Sequence, residues 1–240
     1  MAIELRLKNG DNILWYRPKN IWDQTKDCMI LVPWLPHYLD KYHPFIKTCA
    51  DANIDLFVIR YTGSRENKGE FNLSNNIVDI DKTIDFVEQW RAISLYDKKE
   101  IKFNYKKIYL LWFSYWALPL IFSQSKDNLT KILVCPFVNY LYHKRGSSGE
   151  IIEDTLNFVN DAYGNVYNIK KEELINDFER INYEDSDKKS KYKLVIWKKD
   201  TSISLDEINW LRDNFDIDKI IEQDSGHSLN ISVENLLSLL

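Results

Sequence analysis

Two apolar runs meet at Ser114 with no turn residue between them, and this junction limits the fold more than any other stretch. The first, Ile108-Tyr109-Leu110-Leu111-Trp112-Phe113, is rich in Ile, Tyr and Leu and has the length of a fully buried strand. The second, Tyr115-Trp116-Ala117-Leu118-Pro119-Leu120-Ile121-Phe122, reads as a helix. A serine wedged between them stands at a sharp strand-to-helix turn. Such a turn lifts the hydroxyl above the sheet edge, beside the amides of a helix N-terminus that favour negative charge.

The flanking chain alternates strands and helices. Residues 3–7 alternate apolar and charged, Asn9-Gly10-Asp11 is a turn, and residues 13–16 are apolar, which together predict a hairpin. Residues 28–32 form a buried strand that runs into Pro33-Trp34-Leu35-Pro36. A helix is expected over 38–53 with Pro44 near its first turn, a strand over 54–60 and a surface loop over 66–75. The stripe Ile77, Ile80, Ile84 and Val87 predicts a helix, and residues 131–137 a strand. Residues 150–160 and 170–181 read as helices, whereas 182–191 is charged, poorly patterned and expected to be a loose linker. A strand over 192–197, a helix striped by Leu205, Ile208, Leu211 and Phe215, a strand over 218–222 and a helix over 229–240 complete the chain. Strand–helix alternation of this kind predicts an α/β fold with a mostly parallel sheet and helices on both faces.

Length and charge narrow the function classes. A chain of 240 residues fits one domain. With a net charge of −4 and no basic run interleaved with aromatics, nucleic acid is excluded as a partner. Cys28, Cys49 and Cys135 lie far apart and read as buried, reduced thiols. The first residues lack an apolar signal region, and no apolar stretch approaches the roughly 18 residues that span a bilayer. The expectation is a cytoplasmic protein with no membrane span.

The end of the chain gives the serine its companions. Asp200 lies three residues beyond the 192–197 strand, and His227 sits in Asp224-Ser225-Gly226-His227-Ser228 directly after the 218–222 strand. Ser114, Asp200 and His227, in this order and each following a strand, resemble the catalytic triad of the α/β-hydrolase superfamily. The resemblance runs over residues 3–240. It implies that Ser114 is a nucleophile, His227 the base that takes its proton and Asp200 the group that orients the imidazole. It further implies an oxyanion hole made by the backbone N–H groups of Trp34 and Tyr115, a substrate pocket including Trp112 and Trp116, no metal and no cofactor. The substrate would be a small-molecule or carrier-bound acyl compound. Residues 1–137 and 191–240 would form the hydrolase core, and 138–190 a helical cap.

Two departures from the family pattern stand in the sequence. Trp112 and Trp116 occupy the usual glycine positions of Gly-x-Ser-x-Gly, and Val32-Pro33 stands where His-Gly is common. Glycine serves at the elbow because little space is left for a side chain, so the tryptophans require smaller facing residues or a reshaped turn. Alternatives for the acid are Asp206 and Asn139, and the other histidines are His37, His43 and His143. Three functions remain open on the residues alone: a hydrolase of carboxylic esters or thioesters acting through an acyl-enzyme, a non-catalytic protein of the same fold that binds a ligand or partner, and an acyltransferase using the same serine.

Overall fold

The expected hairpin opens the structure. Strand β1 (Ala2–Asn9) pairs antiparallel with β2 (Asp11–Pro18), with Leu7 opposite Ile13. The computed structural model describes residues 2–9, 11–18, 26–33, 42–89, 91–113, 117–138, 149–164, 166–200, 203–224, 226 and 231–240. Strands β3 (Lys26–Val32) and β4 (Asp55–Val58) follow, then two three-residue strands, β5 (Arg91–Ile93) and β6 (Glu100–Lys102), which pair only with each other. That small hairpin has no counterpart in the sequence reading, because three residues are too few for alternation to register. The central run forms β7 (Tyr105–Phe113), and β8 (Leu129–Val134), β9 (Lys191–Trp197) and β10 (Ile217–Gln223) come after it.

These strands assemble in the order β1-β2-β4-β3-β7-β8-β9-β10. From β4 to β10 all neighbours are parallel, so their carboxyl ends share one edge. Side chains alternate between faces, and register partners share a face. On β7, Phe113 packs edge-on against Phe45 of helix α1 (His43–Asp51), and the Tyr109 hydroxyl donates to the Leu240 carbonyl at 2.9 Å. Lys131 is the register partner of Leu110, faces the other way, and its Nζ donates to the Ser123 carbonyl at 2.8 Å. Helices therefore cover both faces. In α1, Pro44 occupies the first turn, where its missing N–H costs nothing.

Side-chain caps mark three of the helix starts. In α2 (Leu73–Glu88) the Asn72 side chain accepts from the Asn75 N–H at 2.8 Å, and Ile80, Ile84 and Val87 are buried as the stripe predicts. The short α3 (Leu118–Phe122) follows the central strand, and α4 (Gly149–Tyr163) and α5 (Lys171–Glu179) come later. Ser204 caps α6 (Leu205–Asn214). Leu205 is 68% exposed, so the buried stripe starts at Ile208 instead. The last helix, α7 (Val233–Leu239), starts where Ser232 accepts from the Asn235 N–H at 3.1 Å, later than apolar content alone suggests.

The segment expected to be a loose linker is strapped to the core. Lys131 is 0% exposed and meets the Asp187 carboxylate, 8% exposed, at 2.8 Å. The Asp187 N–H donates to the Ile121 carbonyl at 2.7 Å, and the Tyr192 hydroxyl donates to the Asp187 carbonyl at 2.7 Å. A lone lysine in an apolar strand and a lone aspartate in a charged run show no periodicity, which is why the pairing escapes the sequence.

Residues 166–168 are likewise knitted to the loop after β4. The Arg65 N–H donates to the Val166 carbonyl at 2.6 Å, the Asn168 N–H to Gly63 at 2.7 Å, and the Phe71 N–H to Asn168 at 2.9 Å. This ladder needs Gly63 in a left-handed conformation (φ +75°), where a Cβ would collide with the backbone of Glu70 and Phe71. Gly63→Ala should therefore destabilise the protein by roughly 2–4 kcal/mol, from strain at a positive φ plus steric overlap, read as a lower urea midpoint. An unchanged midpoint would show that the ladder yields freely.

Candidate active site

Strand β7 lies between β3 and β8 in the middle of the parallel sheet. It ends at Phe113, and α3 begins at Leu118 with Ala117 as its N-cap, so residues 114–117 make the whole strand-to-helix connection. Ser114, Tyr115 and Trp116 lie outside the described residues, as do Trp34, His227, Asn139, His37 and His143. What the structure does describe is the frame that carries them.

Trp112, the first of the two elbow tryptophans, is 1% exposed and stands in register with Val32 on β3 and Leu133 on β8. The ladders on both sides run without a break through Trp112. A tryptophan in place of the first elbow glycine is thus absorbed inside the sheet, beside two medium-sized aliphatic neighbours. Its ring belongs to the buried core under the junction. Phe113 continues this packing, with ring centroids 5.6 Å from Phe45 and 6.5 Å from Tyr42.

Asp200 terminates the loop after β9. Its N–H donates to the Trp197 carbonyl at 3.0 Å, and its side chain is half-buried. It faces Cys135, the residue directly after β8. Cys135 takes a left-handed backbone (φ 42°), a costly conformation for a residue with a Cβ. It is held there by its N–H, which donates to Val195 at 2.8 Å, and by the Trp197 N–H, which donates to Sγ at 3.0 Å. Burial pushes the Cys135 thiol well above its ordinary pKa. The Trp197 N–H opposes that rise, and the Asp200 carboxylate adds to it by its charge and by accepting the thiol hydrogen.

The loops after β9 and β10 touch. The Lys198 N–H donates to the Gln223 carbonyl at 2.9 Å, Lys199 and Asp224 form an exposed ion pair at 3.0 Å, and a Cβ placed on Gly226 would lie 4.0 Å from the Lys199 carbonyl. The loop that carries Asp200 is therefore joined to the segment that leads to His227 by one backbone hydrogen bond and one ion pair. Asp206, the described alternative acid, is exposed at the start of α6, and His43 is exposed at the start of α1.

Sequence reasoning passed over a second carboxylate at this edge. Glu207 is fully buried, and its Oε1 accepts the Val138 N–H at 2.7 Å, while the Tyr183 hydroxyl donates to the Val138 carbonyl at 3.0 Å. Both polar groups of that residue are clamped where the segment 138–190 leaves the sheet. The signal was present as Ser204-x-x-Glu207, the spacing of a capping box, although here the glutamate turns inward to Val138. Among the described residues no group of three or more His, Cys, Asp or Glu side chains is placed to hold a metal ion, and no helix is long and apolar enough to cross a membrane.

No family model matches the sequence, and no curated protein matches it. Solved structures do. Est1E from Butyrivibrio proteoclasticus, in a structure with ferulic acid bound, superposes with a TM-score of 0.67 at 14% identity, over 100% of this chain and 95% of its own. The Pyrococcus furiosus esterase Pf2001 gives 0.58 at 16% identity, over 95% and 83%. MGS-MChE2, an α/β-hydrolase enzyme from the metagenome of lagoon sediments at Mar Chica, Morocco, gives 0.62 at 13% identity, over 97% and 94%. The strand order, the central strand-to-helix junction and these full-length superpositions agree: the chain has the α/β-hydrolase fold.

Proposed function

We propose that the protein is a serine hydrolase that cleaves a carboxylic ester or thioester through an acyl-enzyme. The observation that carries this reading is the joining of the loop after β9, which holds Asp200, to the segment after β10 that leads to His227, at the edge of the sheet where β7 also ends. Open α/β sheets collect their sites at the carboxyl ends of their strands. The fold likeness to the Pyrococcus furiosus esterase Pf2001 supports the same reading.

In this mechanism the Ser114 hydroxyl attacks the acyl carbonyl carbon while His227 accepts its proton. Asp200 holds the imidazole and stabilises the imidazolium that forms. The oxyanion of the tetrahedral intermediate accepts hydrogen bonds from the N–H groups of Tyr115 and Trp34, each such donor contributing roughly 2.7–4 kcal/mol to the barrier reduction. Collapse breaks the bond to the alcohol or thiol, which leaves with the proton from His227. Water then attacks the acyl-enzyme, gives its proton to His227 and releases the acid and free Ser114. Trp116 would line the acyl pocket above the buried Trp112, and residues 138–190 would cover it. With three free and buried cysteines, a cytoplasmic setting suits the chain.

Labelling the intact protein with a fluorophosphonate, followed by peptide mapping by mass, tests this without knowledge of the substrate. A single adduct on Ser114 is expected. No adduct would favour a non-catalytic protein of the same fold, and an adduct with transfer to an added alcohol or amine in preference to water would favour an acyltransferase.

A further inference from the structure

A cleft of about 800 Å³ opens at the opposite edge of the sheet, at the amino ends of β7, β8, β9 and β10. Five lysines line it: Lys107, Lys126, Lys189, Lys191 and Lys193. Two carboxylates, Asp127 and Asp218, share the wall. The chain as a whole carries a net charge of −4, so this is a local reversal of sign.

The positive charge here is only partly compensated. Lys126 is taken up by Asp85 at 3.0 Å and Glu88 at 2.6 Å. The Lys193 ammonium donates to the Leu239 carbonyl, and Lys219, its register partner on β10, to the Ser238 carbonyl. These two cap the carboxyl end of α7, which is a sufficient structural reason for both. Lys107, Lys189 and Lys191 are different. All three are exposed, and their ammonium groups have no ion-pair or hydrogen-bond partner among the described residues.

Strand register gathers these groups. Tyr109, Thr130 and Lys191 stand side by side across β7, β8 and β9, and Lys107 lies two residues before Tyr109 on the same face. Neighbouring strands are about 4.8 Å apart, so the Lys107 and Lys191 backbones are on the order of 10–12 Å apart. That span suits two ammonium groups closing on one phosphate-sized group or on two linked ones. Burial pulls the Lys193 pKa below the ordinary lysine value, Asp218 opposes that pull, and Lys219, Lys107 and Lys191 add to it.

We infer that this cleft binds a soluble small molecule bearing two or more phosphate charges, held by Lys107, Lys189 and Lys191. The site lies on the edge away from Ser114 and does not depend on the hydrolase reading. Inorganic pyrophosphate is the probe. Calorimetric titration of the whole chain at low salt should give saturable binding near one equivalent. Lys107→Gln with Lys191→Gln should weaken it at least about tenfold, since charge-assisted contacts to phosphate are the strong ones. Lys107→Arg with Lys191→Arg should stay within about threefold. Lys68→Gln with Lys102→Gln, the same charge change at exposed positions elsewhere, should leave binding unaltered. Non-saturable binding, equal weakening in both glutamine pairs, or association with phosphatidylglycerol vesicles in place of pyrophosphate would overturn the inference.

Discussion

Ser114→Ala is expected to lower kcat/KM for a responsive ester or thioester by about four to six orders of magnitude, because it removes the covalent route and strands the base that serves it. The fold should survive the loss of one hydroxyl, with a melting transition close to that of the wild type. The measurement is hydrolysis over a panel of short and medium acyl esters and thioesters, each protein assayed for release of the acid. Wild type and variant equally inactive across the panel would mean that the two elbow tryptophans have closed the site. A companion variant is needed to read that outcome, and placing glycine at both elbow positions is not a clean one. Trp112 is 1% exposed in the central strand, and truncating a buried indole costs roughly 3–5 kcal/mol before any effect on chemistry. Trp116→Gly alone is the sharper comparison. Activity appearing only in that variant would identify the second indole as the block.

The largest effect on stability is expected at the buried ion pair. Lys131→Ala or Asp187→Ala leaves one charge buried without its partner and should cost about 3–5 kcal/mol, seen as a lower urea midpoint. Replacing both by apolar residues of similar size, Lys131→Met with Asp187→Leu, should cost much less, because desolvation of the charges is then removed with their attraction. The pair's worth is therefore mainly positional: it fixes residues 182–191 against α3 and β8. Its pH dependence has a definite sign. Burial works to raise the Asp187 pKa, but the charge and hydrogen bonds of Lys131 override it and hold the carboxyl below its ordinary value. A depressed pKa means that the folded state binds this proton less readily than the unfolded chain does. The stabilisation is present above the unfolded value of about 3.9 and is lost as pH falls through the lower folded value. The stability gap between wild type and Asp187→Asn should accordingly narrow under acid. A gap that stays constant to the lowest accessible pH would contradict the assignment.

Most of the frame was legible because periodicity survives in single elements. The amino-terminal hairpin, the stripe of α2, the buried runs of β3, β7 and β9 and the half-buried run of β10 each announce themselves within ten or so residues. Boundaries were read less well where a cap decides them, as Ser232 does for α7, or where an apolar side chain falls on the open side of a first turn, as Leu205 does. Long-range pairings left no trace. Lys131 with Asp187, and Gly63 with Asn168, join residues far apart in the chain through single contacts that no local pattern encodes. At the candidate site, Asp200 could be named because it follows a buried strand in the right order. Its contact with Cys135 could not, since a left-handed φ at a cysteine is a property of the folded backbone. Glu207 was within reach through its spacing from Ser204, and was passed over because an acidic residue in a first helical turn is usually solvated.

Hydrolysis by this route requires Ser114, His227 and Asp200 to work as one unit, and a crystal structure of the fluorophosphonate adduct measures that directly. Phosphorus bonded to the Ser114 oxygen is expected, with the phosphonyl oxygen accepting from the Tyr115 and Trp34 N–H groups. His227 should bridge the Ser114 oxygen and the Asp200 carboxylate, each link about 2.6–3.2 Å long. An adduct on another residue, or a His227 ring more than about 6 Å from the Ser114 oxygen, well beyond the reach a general base needs, would contradict it.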